Sequence, residues 1–379
     1  MSINPIDKFK IVFKLNQHTP IIHFQSDQKG ATLRATELKP KFDKFLIEYI
    51  FKNDESLYKD FLITGKEKAL NYKVSITPDI TPPKEIADRN ALFFGNMGDG
   101  KDKKFKENNQ TTTLTLFSYN STLIKILREN FEAFLANTNF ATRQSKGFGS
   151  FYLSKPFDAT LVKHKVYSFT SSVNGWQEDI KHFYGFLRAG INTANFRGIY
   201  AKAVIFAYAK EKGIIWDKKA IKKRYMKSHL DKQQDEHFGS DTPIHYDSGN
   251  EKVMRDLFGL SSSQNWKFYN NATVTKDDTS KHLARFKSPI TFKPIKDGNK
   301  MRIYFWADES VEQILNKEFL IKVNNSGDLK LSTPAQFTFQ DFFDFAFNLD
   351  LSKHIDSDFH DNDQYKKLVR MFNEIKESK

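Results

Sequence analysis

Residues 112–153 read TTLTLFSYNSTLIKILRENFEAFLANTNFATRQSKGFGSFYL, and the spacing of apolar side chains changes period twice along them. Thr112 to Phe117 alternates β-branched and apolar residues, the period of a strand with one buried face. Leu123, Ile124, Leu127, Phe131, Phe134 and Leu135 then fall on one broad helical face, with Asn120 and Ser121 ahead of them as cap candidates. Phe148 to Leu153 returns to strand character. The stretch is predicted to run strand, helix, strand, and the basic, Gly-containing segment Arg143 to Phe151 (RQSKGFGSF) leads from the helix into the last strand.

Working toward the N-terminus, Lys8 to Leu15 (KFKIVFKL) alternates charged and apolar residues and predicts a first strand. Leu38 to Phe51 places Phe42, Phe45, Leu46 and Tyr49 at i, i+3, i+4 and i+7, with Pro40 in the first turn, and predicts an amphipathic helix. Tyr72 to Ile76 predicts another strand. Gly95 to Asn109 is Gly-rich and charged, the composition of a surface excursion. The order strand, helix, strand, strand, helix, strand is the ferredoxin-like split βαβ arrangement, shared by RNA-recognition domains.

Lys165 to Phe169 followed by Trp176 to Leu187 starts a second strand-then-helix passage. The reading is an α+β chain of tandem ferredoxin-like (RRM-like) βαββαβ units. The first covers residues 1–160; the second covers 161–379 and carries a basic helical and loop insertion over about 211–285. Within the second, Asp217 to Lys232 is a strongly cationic helix and His237 to Thr279 is polar and loop-like. Strands resume at Ser288 to Phe292 and Lys300 to Trp306, Val311 to Phe319 is a helix candidate, and the charged tail after His354 is expected to be peripheral.

The 59 Lys and Arg against 46 Asp and Glu give a net charge of +13, which favours polyanionic partners. The 37 Phe exceed any need for stacking sites, so most belong to the core. No run of 18 apolar residues occurs, and Met1 to Lys10 lacks the apolar region of a signal peptide; a cytoplasmic protein with no membrane contact is expected. With no cysteine, thiolate metal sites and thiol nucleophiles are excluded.

In RQSKGFGSF, Gly147 and Gly149 let backbone amides approach a phosphate, Arg143 and Lys146 add charge, and Phe148 could offer a ring to a base. The same residues could instead form an ordinary helix-to-strand turn. Gln28 to Arg34 (QKGATLR) has similar ingredients in Lys29, Gly30 and Arg34, ahead of a helix whose dipole favours anions. Leu283 to Pro294 (LARFKSPITFKP) adds Arg285 and Lys287 beside a strand.

These segments, together with the HTP…QKGATLR run and the LFG…RFKSPITFKP run, resemble the RAMP superfamily of CRISPR-associated proteins, and most closely the tandem-domain subunit of the type III-B (Cmr) RNA-targeting complex. The resemblance implies ferredoxin-like cores, binding of CRISPR RNA toward the 3′ end of the guide, other RAMP subunits as partners, target RNA reached by way of the guide, and a structural role in antiviral defence without target cutting. Lys29, Gly30, Arg34, Arg143, Lys146, Gly147, Phe148 and Gly149 carry over as RNA-contacting residues, with Arg285 and Lys287 beside them.

Two other readings stay open. A metal-independent CRISPR RNA-processing endoribonuclease would move protons with His18 or His23, which bracket Pro20. A protein-interaction scaffold would use the positive charge on acidic partners instead. Asp99 and Asp102 lie in a charge-rich segment that reads as a solvated loop. His229, His237 and His245 recur every eight residues, a spacing that suits neither a helical face nor a zinc site. No catalytic residue, cofactor or metal is expected.

Overall fold

The computed structural model describes residues 8–22, 32–78, 84–85, 106–107, 111–192, 200–225, 250–260, 262–266, 271–280, 283 and 285–378. The chain packs as two compact units, one of Met1–Lys181 with Thr291–Trp306 and one of His182–Ile290 with Ala307–Lys379.

In the first unit, strands β1 (Lys10–Gln17), β2 (Lys73–Pro78), β3 (Thr111–Phe117) and β4 (Phe151–Leu153) form an antiparallel sheet in the order β2-β3-β1-β4. Helix α1 (Ala35–Phe45) carries the chain from β1 past β3 to β2, and α2 (Ser121–Asn137) carries it from β3 past β1 to β4. Two interleaved βαβ passages thus share one sheet. Both helices cover the same sheet face, because Ile11, Leu15, Leu114 and Leu116 on the strands and Leu38, Phe42, Leu127, Phe131 and Phe134 on the helices enter one core. Phe42 stacks on Phe134 at 4.8 Å between ring centres and meets Phe131 edge-on at 5.3 Å, geometries that add to simple burial.

Of the two cap candidates, Asn120 caps α2: its Oδ1 accepts the Leu123 N–H at 3.0 Å. Helix α1 widens after Phe45 into a π-helical turn, Leu46–Ile50, and ends where Lys52 and Asn53 take positive φ. β4 is shorter than the sequence pattern suggests. Residues 148–150 are spent on a turn, with Gly147 and Gly149 at φ +88° and +66°.

A three-stranded sheet completes this unit, ordered β6 (Ile290–Asp297), β7 (Lys300–Ala307), β5 (Tyr167–Ser172), with helix α3 (Trp176–Arg188) following β5. β5 pairs with β7 from Lys300↔Ser172 to Phe305↔Tyr167, so residue 160 falls inside the first compact unit, not at its edge.

The second unit is built on a six-stranded sheet ordered Ile215–Trp216, Glu251–Lys252, Ser326–Ser332, Glu318–Val323, Ala272–Asp278, Ser263–Trp266, parallel at its first two pairings and antiparallel at the rest. Three of these strands lie where the sequence reads as loop, because only every second residue of Ala272–Asp278 turns inward and the polar ones dominate the composition. The helix expected over Val311 to Phe319 is a 3-10 segment, Glu309–Ile314, followed by a strand; Asn316 at φ +53° separates them.

The tail is not peripheral. Helix Asp363–Glu377 buries Leu368, Met371, Phe372 and Ile375, at i, i+3, i+4 and i+7. Phe372 packs on Phe183, Phe186 and Phe347 at 5.8, 5.8 and 5.5 Å. The cationic helix expected at 217–232 is observed as Asp217–Tyr225, and the rest of that range lies outside the described residues.

That helix is fastened by a buried ion triad in which Lys276 reaches Asp217 at 2.5 Å and also bonds Asp256. Burial alone would lower the Lys276 pKa, but the two carboxylates outweigh it and raise it. Removing the cation leaves two buried like charges. Lys276→Met is therefore expected to destabilise the second unit by about 3–5 kcal/mol; urea unfolding checks this, and a loss below about 1 kcal/mol would contradict it.

Candidate nucleic-acid interface

The basic Gly-containing loop is held from three sides of the first unit. From β1 and its continuation, Pro20 offers its carbonyl to the Gly149 N–H at 2.8 Å, and the Thr19 hydroxyl donates to the Gly147 carbonyl at 2.6 Å and accepts the Ser150 N–H at 2.9 Å. From α1, the Glu37 carboxylate accepts the Ala141 N–H at 2.6 Å, while the Lys41 ammonium bonds Glu37, the Asn139 carbonyl and the Gln144 side chain. From β6, Phe292 donates its N–H to the Ser145 carbonyl, and Asn139 Nδ2 donates to the carbonyls of both Gln144 and Phe292.

Gly149 is required where it stands. A Cβ built on it would lie 2.0 Å from the Phe140 carbonyl oxygen, and its φ of +66° is one that L side chains rarely adopt. A Cβ on Gly147 would lie 2.8 Å from Pro294.

This geometry corrects the amide-cradle expectation. The amides of Ala141, Thr142, Lys146, Gly147, Gly149 and Ser150 all donate to groups of the protein itself, so the glycines shape the loop and do not present their N–H groups to a phosphate. Phe148 is corrected too: its ring is fully buried, edge-on to Trp176 at 5.1 Å, and no base can stack on it.

The loop's outer turn is what it displays. Thr142 is exposed, and Arg143, at φ +61°, is half-buried, as are Gln144 and Ser145. Burial lowers the Arg143 pKa, yet a guanidinium starting so high keeps its charge at neutral pH. Lys146 is 9% exposed, and its ammonium lies 5.9 Å from the centre of the Phe292 ring. Arg34 sits at the N-cap of α1, one turn before the Glu37 that holds the loop, and is half-buried. Arg285 and Lys287 are exposed and belong to the second unit. Lys29, Gly30, His23, Asp99, Asp102, His229, His237 and His245 lie outside the described residues.

Beneath the loop lies Lys293, which no pattern in the sequence announced beyond its place in an otherwise apolar strand. It is fully buried and donates to the Thr138 carbonyl at 2.9 Å, Asn139 Oδ1 at 3.2 Å and the Phe151 carbonyl at 3.2 Å, which satisfies all three ammonium protons. Burial lowers its pKa to about 7.

His18 is placed beside it and not at a surface. Only 7% exposed, it accepts the Lys296 N–H on Nδ1 at 2.9 Å. Burial, then Lys293 and Lys296, lower its pKa to about 3. An imidazole so enclosed is a neutral packing group, which removes His18 as a proton carrier for attack on RNA.

Comparison with known proteins also divides the chain into two parts. The family model described as Cmr1 N-terminal domain matches residues 8–191, and that described as Cmr1 C-terminal domain matches residues 200–377. No curated protein matches the chain. Among solved structures, the chain is similar to a crystal structure of Cmr1 from Pyrococcus furiosus in its apo form, at 14% identity over 79% of this chain and 88% of that one, with a TM-score of 0.33. It is also similar to a chain in a cryo-EM structure of the type III-B Cmr-beta complex bound to cognate target RNA, at 12% identity and a TM-score of 0.28. That match covers 39% of this chain and spans 59% of the other. With the two domain models matched in chain order from residue 8 to residue 377, this chain belongs to the Cmr1 family.

Proposed function

We propose that this subunit binds the guide RNA without cutting it, toward the guide 3′ end, and reaches target RNA by way of the guide. The observation that carries the reading is the Arg143 turn, a cationic residue held in left-handed backbone by bonds from β1, α1 and β6. A guanidinium on a rigid turn meets a phosphate with little ordering cost. Arg34, one helical turn from the loop's anchor at Glu37, extends the same cationic edge. Lys29 and Gly30, which lead into Arg34 in sequence, belong to this site, Lys146 adds charge at its margin, and Arg285 and Lys287 are contacts of the second unit. Sequence specificity then rests with the guide, and the protein reads backbone.

The net charge of +13 supports a polyanionic ligand. The other RAMP subunits of the complex are its protein partners, and the cytoplasm is its compartment. The β6-β7-β5 order is the one that the first, second and third strands of a ferredoxin-like unit take, with the insertion of about 211–285 between α3 and β6; it supports a second ferredoxin-like domain over 161–379 by strand order, while those three strands pack within the first compact unit. Loss of His18 as a proton carrier favours the non-catalytic reading over the endoribonuclease; His23 is the candidate that reading retains.

If about five phosphates are neutralised, affinity for single-stranded guide RNA falls roughly a hundredfold between 50 and 200 mM salt. Arg143→Glu is expected to weaken binding by about tenfold and to reduce the salt slope by about 0.7; fluorescence anisotropy checks both. Unchanged affinity in Arg143→Glu would move the RNA elsewhere. Repeat RNA incubated with the protein in EDTA is expected to stay intact, and cleavage that disappears in His23→Ala would establish the endoribonuclease reading instead.

A further inference from the structure

The four-stranded sheet has its helices on one face only, and among the described residues no helix covers the other. Strand register writes out that open face row by row. Across β2, β3 and β1 the first row is Lys73, Phe117, Lys10; the second is Ser75, Thr115, Val12; the third is Thr77, Thr113, Lys14. No carboxylate stands in any row.

The three lysines are exposed and form no ion pair among the described residues, and Val12 is 52% exposed. Just beyond β3, Tyr119 is 84% exposed, its ring edge-on to Phe117 at 5.0 Å. Beside Tyr119 lies a cleft of about 440 Å³, lined by Asn71, Ser118, Asn120 and Ser121 among others, with Asp60 as its carboxylate. Among the described residues, none of the chain's 46 acidic residues stands in these rows, while lysines flank the aromatic corner at Phe117.

The occupant must therefore be anionic and must offer something flat. A protein partner's apolar patch fits poorly, because hydroxyls and lysines outnumber the apolar side chains in these rows. A duplex fits poorly as well, since its bases are already stacked on one another. Single-stranded RNA supplies phosphates for the lysines, an unstacked base for Tyr119 and 2′-hydroxyls for the threonine rows. We propose that this open face is a second site for single-stranded RNA, with a base on Tyr119 and phosphates at Lys10 and Lys73.

The site is separate from the Arg143 loop and does not rest on it. The loop is anchored past the C-terminal end of β1, whereas Lys10 opens the strand, and eight extended residues span roughly 25 Å.

The test uses the full chain and labelled oligo(U) of about 15 nucleotides, followed by anisotropy. Tyr119→Ala is expected to weaken binding about tenfold while Tyr119→Phe keeps it, and Lys10→Glu with Lys73→Glu to lower the salt slope by about 1.4. Duplex RNA of the same length should bind Tyr119→Ala and the native protein alike. Tyr119 is too exposed for its loss to unfold the chain, and thermal melting verifies that. Oligo(U) affinity within about twofold of native in Tyr119→Ala overturns the proposal, as does an equal loss for duplex and single strand. If Tyr119→Ala binds RNA normally but no longer co-migrates with partner subunits, the face serves a protein and the proposal is likewise overturned. A loss in Tyr119→Ala with none in Arg143→Glu would leave this site standing and remove the one at the loop.

Discussion

The Gly149 N–H bonded to the Pro20 carbonyl, with the Phe140 N–H returned to the Gly149 carbonyl at 3.0 Å, is the constraint on which the first unit's edge depends. It brings the end of α2, the start of β4 and the run beyond β1 to one point. Only a residue without a side chain can stand there, because the Phe140 carbonyl occupies the space a Cβ would need. Once that point is fixed, Glu37 and Lys41 can clasp the outer turn, Lys293 can fill the space beneath it, and Arg143 is left on the rim. The loop is a pedestal for a cation, and its own amides are the mortar.

Buried charge is handled differently in the two units. Lys276 is matched by two carboxylates and keeps its proton firmly. Lys293 has three oxygen acceptors, none of them the carboxylate of an Asp or Glu, and its pKa falls to about 7. The second arrangement leaves Lys293 only partly charged at neutral pH, so the positive charge displayed at the proposed RNA edge rests with Arg143.

Much of the first unit was legible because its elements bury one face each. Alternation in KIVFKLNQ and the stripe through Leu123, Leu127, Phe131 and Phe134 have unambiguous periods, and the strand order follows from their succession. The tail helix escaped notice because charge on its exposed side masks the four residues that pack on Phe183 and Phe347. The strands of the six-stranded sheet escaped because they are short and mostly polar. At the candidate site, the sequence singled out the Gly-containing loop but could not show which way its amides face. A GxG pair reads the same whether its N–H groups turn outward to a ligand or inward to Pro20, and the partners that decide it, Thr19, Glu37, Asn139 and Lys293, come from distant parts of the chain.

Amide hydrogen exchange across residues 141–150, with and without single-stranded guide RNA, tests the central claim most directly. If the loop is a finished pedestal and Arg143's side chain makes the contact, the amides of Lys146, Gly147, Gly149 and Ser150 exchange slowly in the free protein and change little when RNA is added. Fast exchange in the free protein that becomes slow on RNA binding would contradict the account, since those amides would then be bonding to the RNA and not to the protein.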